Sequence, residues 1–174
     1  GKVQNKYLGE VIYDMQSLSR LTEGKFDLTV GKVSRLWNIG EENERVPSEN
    51  EIEEALKTVG TDKVQAQGYT LTADDGTLLD LGAIGKGYAC DLIYTYLSGT
   101  EAEGAIVSVG GSIVAYGQYN AKGDKWRIAV THPRDEEKYL GVISIDEGFV
   151  STSGDYERYF EKDGKRYHHI LDAT

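Results

Sequence analysis

From Lys63 onward the chain breaks into short apolar runs punctuated by turn residues, and no other feature of the sequence constrains its fold as strongly. VQAQGYTLTADDGTLLDL (residues 64–81) reads as a hairpin with Asp75-Gly76 at its tip. Residues 105–109, 112–116, 126–130, 139–145 and 149–153 read as further strands, and YERYFEKDGKRYHHIL as a last hairpin turning at Asp163-Gly164. One helix interrupts them, from about residue 85 to residue 97, with Ala89, Leu92, Ile93, Tyr96 and Leu97 on its inner face.

Before Lys63 the period is helical. Leu8, Val11, Ile12, Met15 and Leu18 recur at three- and four-residue steps, which predicts an amphipathic helix from Tyr7 to about Thr22, with Gly24 after its end. Ser48 and Glu51 form a capping box that starts a second helix, whose apolar stripe is Ile52, Leu56 and Val59. Residues 26–40, FDLTVGKVSRLWNIG, follow neither period and read as a buried, partly irregular connection anchored by Phe26, Leu36 and Trp37. The charged stretch at residues 41–45 reads as a solvated loop. Hairpins with a few segregated helices predict an α+β domain, with mixed or antiparallel sheets and packed helices. Its 174 residues are expected to form a single domain.

Composition narrows the partners. Nineteen Lys and Arg against 29 Asp and Glu leave a net charge of −10, so a broad electrostatic footprint for nucleic acid or an anionic membrane is excluded. An anionic small ligand then needs a local device such as a helix N-terminus, one Lys or a bound cation. Cys90 is the sole cysteine, which excludes an intrachain disulfide and a cysteine metal cluster. No apolar run reaches the roughly 20 residues that span a bilayer. Gly1-Lys2-Val3 is no signal peptide and has no initiating Met, so an expressed or processed piece of a longer protein is expected.

Four segments have the residues for chemistry. DLGAIGKGYACD (residues 80–91) joins a strand end to a helix start, with Gly82, Gly85 and Gly87 for close backbone approach and Lys86 for charge. Those features suit a diphosphate, although the segment matches neither common phosphate-loop pattern and also fits a packing turn with a surface Lys. SVGGSIVAYG (residues 108–117) is either a tight hairpin at Gly110-Gly111 or a backbone floor beneath a flat ligand. VSTSGDYERYF (residues 150–160) ends a strand in short hydroxyl side chains, Gly154 and Asp155, which make a turn or hydrogen-bond a heteroaromatic ring. In HHILD, His168 and His169 point to opposite faces of a strand, so both cannot bind one metal, and a single inward His suits proton transfer. Ser153, His169 and Asp155 could compose a hydrolase triad, but no G-x-S-x-G elbow is present.

In this order and spacing, FDLTVGKVSRLW, LDLGAIGKGYACD, SVGGSIVAYG and STSGDYERYFEKDGKRYHHILD resemble the runs of the ApbE family, the FAD:protein FMN transferases once called thiamine biosynthesis lipoproteins. The resemblance covers nearly the whole chain. It implies magnesium-dependent transfer of FMN from FAD to a Thr hydroxyl of a target flavoprotein, with release of AMP. FAD pyrophosphatase activity giving FMN and AMP, or a non-catalytic flavin-binding or structural module, are the alternatives. By the same resemblance Asp80, Lys86, Gly111, Ser153, Gly154, Asp155 and Tyr156 would contact FAD. The Ala83 carbonyl would be one Mg²⁺ ligand, and His169 would help deprotonate the attacking hydroxyl. Asp91 is expected to serve its helix rather than the ligand. The parent protein is expected to be an extracytoplasmic, membrane-tethered lipoprotein, although this chain shows no targeting signal.

The chain departs from the family pattern in three places. Gly110-Gly111-Ser112 stands where the family usually reads GGN, and Asp27-Leu28 and Asp172-Ala173 stand where a Pro usually follows Asp. The family also has an earlier segment that helps enclose adenine and a later acidic, Thr-containing loop that supplies Mg²⁺ ligands. Neither is found between Gly1 and Thr174, so the remaining ligands are expected beyond Thr174 and the chain alone is expected to be weakly active or inactive.

Overall fold

A computed structural model describes residues 1–172, except for the side chain of Glu136. Ala173, and with it the second of the missing prolines, lies outside the described residues. The fold is α+β, with four α-helices and small antiparallel sheets among the described residues. The chain gathers into two compact units, one formed by Gly1–Ala83 with the chain from Glu157 onward, the other by Ile84–Tyr156.

In the first unit, strand β1 (Lys2–Gln4) leads into helix α1 (Lys6–Leu21), which starts where the Asn5 side chain accepts from the Leu8 N–H at 3.1 Å. Val11, Ile12 and Met15 are buried as the periodicity predicts. Leu18 is exposed, and Ser19 takes the buried position one residue on. The segment read as irregular contains a helix, α2 (Gly31–Trp37), ended by Asn38 in the left-handed conformation. Two turns are too short to print a period, and the buried anchors are Leu28, Val33 and Ile39 rather than Phe26, Leu36 and Trp37.

Helix α3 (Glu49–Leu56) has the predicted Ser48/Glu51 capping box, with Arg45 also paired to Glu51 at 2.7 Å. It ends before Val59, and Ala55 is its buried residue. A 3₁₀ turn (Thr61–Lys63) then enters β2 (Val64–Gln67) and β3 (Thr70–Ala73). This hairpin turns at Gly68-Tyr69, not at Asp75-Gly76, because β1 pairs with β3 and ends it at Ala73. Asp75-Gly76 instead lies in the next turn, closed by the Thr77 N–H on the Asp74 carbonyl.

The second unit opens with helix α4 (Gly85–Ser98), which packs on the hairpin of β4 (Gly104–Val109) and β5 (Ser112–Gly117). Ala89, Ile93 and Leu97 of the predicted stripe are at least half-buried, joined by Cys90 and Tyr94, whereas Leu92 and Tyr96 are exposed. Apolar residues on both sides of the helix hid the edges of that face from periodicity. β6 (Trp126–His132) pairs with β7 (Asp135–Ile145), and β8 (Gly148–Val150) adds to β5. Trp126, Ile128 and Ala115 form this unit's core, with Ile113, Ile145 and Val150 against them. β8 stops at Val150, three residues short of the predicted strand, so residues 151–153 are free of the ladder.

The chain then returns to the first unit with β9 (Tyr159–Lys162) and β10 (Lys165–His168). Their turn is the predicted Asp163-Gly164 pair, with φ of 53° and 72°.

Candidate functional site

In the first unit the FDLTVG segment is tied down before α2 begins. Asp27 Oδ1 accepts from the Thr29 N–H at 2.8 Å and the Thr29 hydroxyl at 2.6 Å, and Thr29 Oγ1 in turn accepts from the Gly60 N–H. The Gly31 N–H donates to the Leu78 carbonyl, and the Asp80 N–H to that of Leu28. These bonds bring the start of α2 alongside the strand-like run ending at Asp80. The β9–β10 hairpin packs against the other end of α2, where Tyr167 meets Trp37 at 5.4 Å and stacks on Phe160 at 5.1 Å.

Together they enclose a cavity of about 270 Å³ whose walls include Arg35, Trp37, Asn38, Asp80, Arg158 and His169. Asp80 is half-buried, and its Oδ1 accepts from the Gly82 N–H at 2.8 Å, which closes a turn onto the glycine run. His169 follows β10 directly, and its Nδ1 lies 3.2 Å from the Arg158 carbonyl oxygen. A neutral ring meets a carbonyl there only with its proton on Nδ1, so Nε2 is left as the basic atom. The neighbouring His168 has Nδ1 buried with no partner among the described residues and does not line the cavity. The cavity thus offers an aromatic wall, two carboxylates (Asp80 and Glu41), two guanidinium groups and one imidazole base.

In the second unit Lys86 stands in the first turn of α4, and its ammonium donates to the Gly110 carbonyl at 3.1 Å. Gly111 follows in a two-residue turn and is exposed. Ser153 is exposed and Gly154 is buried. A Cβ on Gly154 would sit 2.1 Å from Tyr156 Cε1, so the absence of a side chain there lets the Tyr156 ring lie against the backbone. Asp155 pairs with Arg134 at 3.4 Å. Cys90 is buried, and burial, reinforced by Asp91, pushes its thiol above the usual range, which argues against a nucleophilic role.

The structure therefore brings Asp80 and His169 to one cavity, and Lys86 to the Gly110-Gly111 turn. Ser153, Gly154, Asp155 and Tyr156 form one stretch after β8. Ala83 is exposed and ends the first stretch of the first unit. Among the described residues, no group of three or more His, Cys, Asp or Glu side chains could hold a metal ion. These residues alone do not fit a Mg²⁺ site. Arg35, Asn38, Arg134 and Arg158 escape sequence reasoning, and Trp37 enters it only as a core anchor. Only the aromatic-Asn end of the FDLTVGKVSRLWN run could have flagged Trp37 and Asn38.

The ApbE family profile matches residues 2–174. Over 168 residues the chain is 37% identical to a FAD:protein FMN transferase of Vibrio cholerae, an alignment covering 94% of this chain and 50% of that protein. Among solved structures, the ApbE protein of Thermotoga maritima superposes with a TM-score of 0.88 at 38% identity, covering 99% of this chain and 57% of its own. The flavinyl transferase ApbE of Pseudomonas stutzeri, in its apo form, gives 0.83 at 34% identity over 99% and 54%. The chain spans about half the length of the curated relatives it matches. On the family profile and these likenesses together, the chain belongs to the ApbE family.

Proposed function

We propose that the protein transfers the FMN half of FAD to a threonine hydroxyl of a target flavoprotein and releases AMP, with residues 1–174 acting as one ApbE-like domain. The observation that carries this reading is the shared cavity of Asp80 and His169, two side chains 89 positions apart in sequence. Relatives at 30–37% identity are named FAD:protein FMN transferases, which supports the same reading.

In the proposed step the threonine oxygen attacks the phosphorus of the FMN half. The bond from that phosphorus to the bridging oxygen breaks, AMP departs with the bridging oxygen, and the hydroxyl proton passes to Nε2 of His169. Asp80 and the Trp37 wall hold FAD within the first unit. Lys86, Gly111 and residues 153–156 are the proposed FAD contacts of the second. Dependence on Mg²⁺, with the Ala83 carbonyl as one ligand, rests on the family resemblance, and no step above is routed through the ion. An extracytoplasmic, lipid-tethered parent protein is proposed on the same ground. No helix among the described residues is long and apolar enough to cross a membrane.

Mass spectrometry of the full-length protein with FAD and a candidate flavoprotein tests the reading. A target gaining the mass of FMN, with AMP released and the gain abolished by EDTA, supports it. Free FMN with unmodified target supports hydrolysis instead, and FAD left intact supports a non-catalytic module.

A further inference from the structure

Ser112 is a buried hydroxyl, 2% exposed, at the first position of β5. Its oxygen lies 2.9 Å from that of Ser151, the residue that follows β8 and opens the STSGDY stretch. A buried hydroxyl without a partner is unfavourable, so this bond fixes where the stretch leaves the sheet. Two residues back, the same hairpin turn presents the Gly110 carbonyl to the Lys86 ammonium at 3.1 Å. Val109 pairs with Ser112 across the turn, and Gly110 and Gly111 have φ of 54° and 90°, the tight two-residue geometry that only glycines adopt freely.

We propose that the β4–β5 turn is a positioning element for flavin nucleotide binding: through Ser112 it holds the STSGDY stretch, and through Gly110 it holds Lys86. Ser112 and Ser151 are the positioning pair. They act through the residues they hold and need not touch the ligand. The inference rests on the reading of Lys86 and residues 153–156 as FAD contacts.

The test is FAD affinity of the full-length protein by isothermal titration, alongside thermal unfolding, for wild type, S112A/S151A and S151T. The double variant removes both hydroxyls, so no buried polar group is orphaned and unfolding stays close to wild type. Its FAD affinity is expected to fall about three- to tenfold, the span of one neutral hydrogen bond. S151T, which keeps the hydroxyl at an exposed position, is expected to bind as wild type does. Wild-type affinity in S112A/S151A, or a loss in S151T equal to that of the double variant, overturns the inference while leaving the functional reading intact. A wild-type protein that binds no FAD overturns both.

Discussion

The ring and the backbone N–H of His169 converge on one acceptor, the carbonyl oxygen of Arg158, each at 3.2 Å. The backbone hydrogen bond sets the height of the ring and the Nδ1 contact sets its rotation, so the imidazole enters the cavity in one tautomer. A base held this way need not reorganise to accept a proton.

Replacing His169 with Ala should therefore remove proton transfer and leave FAD binding largely in place. The expected loss is about 10²- to 10⁴-fold in kcat for FMN transfer, the usual contribution of a positioned general base. Steady-state transfer rates together with FAD titration separate the two quantities. Undiminished kcat would remove His169 from the chemistry.

Asp80 has two tasks that substitution can pull apart. Its Oδ1 closes the turn onto Gly82, while its charge faces the cavity. Asp80→Asn keeps an acceptor for the Gly82 N–H and loses the charge, whereas Asp80→Ala loses both. FAD affinity should fall in both variants, by about 1–3 kcal/mol in the alanine variant and less in the asparagine one. Equal losses in the two titrations would mean that the turn contributes nothing.

Much of the fold was legible because its signals are local. The Ser48/Glu51 box, the helix read from Tyr7 to about Thr22 and found at Lys6–Leu21, and the Asp163-Gly164 turn each depend on neighbours within a few residues, and each formed close to the reading. The errors arose where distant chain decides. β1 pairs with β3 across 66 to 70 positions, and that pairing moved the hairpin tip to Gly68-Tyr69. The cavity divides the same way: Asp80 and His169 belong to recognisable motifs, while Arg35 and Arg158 are ordinary arginines until the β9–β10 hairpin lies on α2.

Gly154 should tolerate no side chain while Tyr156 keeps its place. A methyl group there meets Tyr156 Cε1 and Cδ1 at 2.1 and 2.6 Å, well inside contact distance. Gly154→Ala should destabilise the protein by about 1–3 kcal/mol, the usual range for overpacking. Adding Tyr156→Ala should restore part of that loss, because the obstructing ring is gone. Urea unfolding of the single and double variants measures this, and strictly additive losses would show that the ring is not the obstacle.

The last prediction concerns acid stability at α3. The Arg45 guanidinium, followed by the Ser48 N–H and hydroxyl, holds the Glu51 carboxyl down at about 2, from an ordinary value of 4.5. The folded state thus binds this proton less readily than the unfolded chain does. Glu51 contributes its full share of stability above pH 4.5, and that share is lost as pH falls from 4.5 through about 2. Glu51→Gln removes the titrating group, so the difference in unfolding free energy between wild type and variant should shrink across that window and be flat above it. Chemical unfolding of both proteins from pH 7 down to the acid limit of the fold reads that difference, and a gap independent of pH would show that the Arg45–Glu51 pair is not formed in solution.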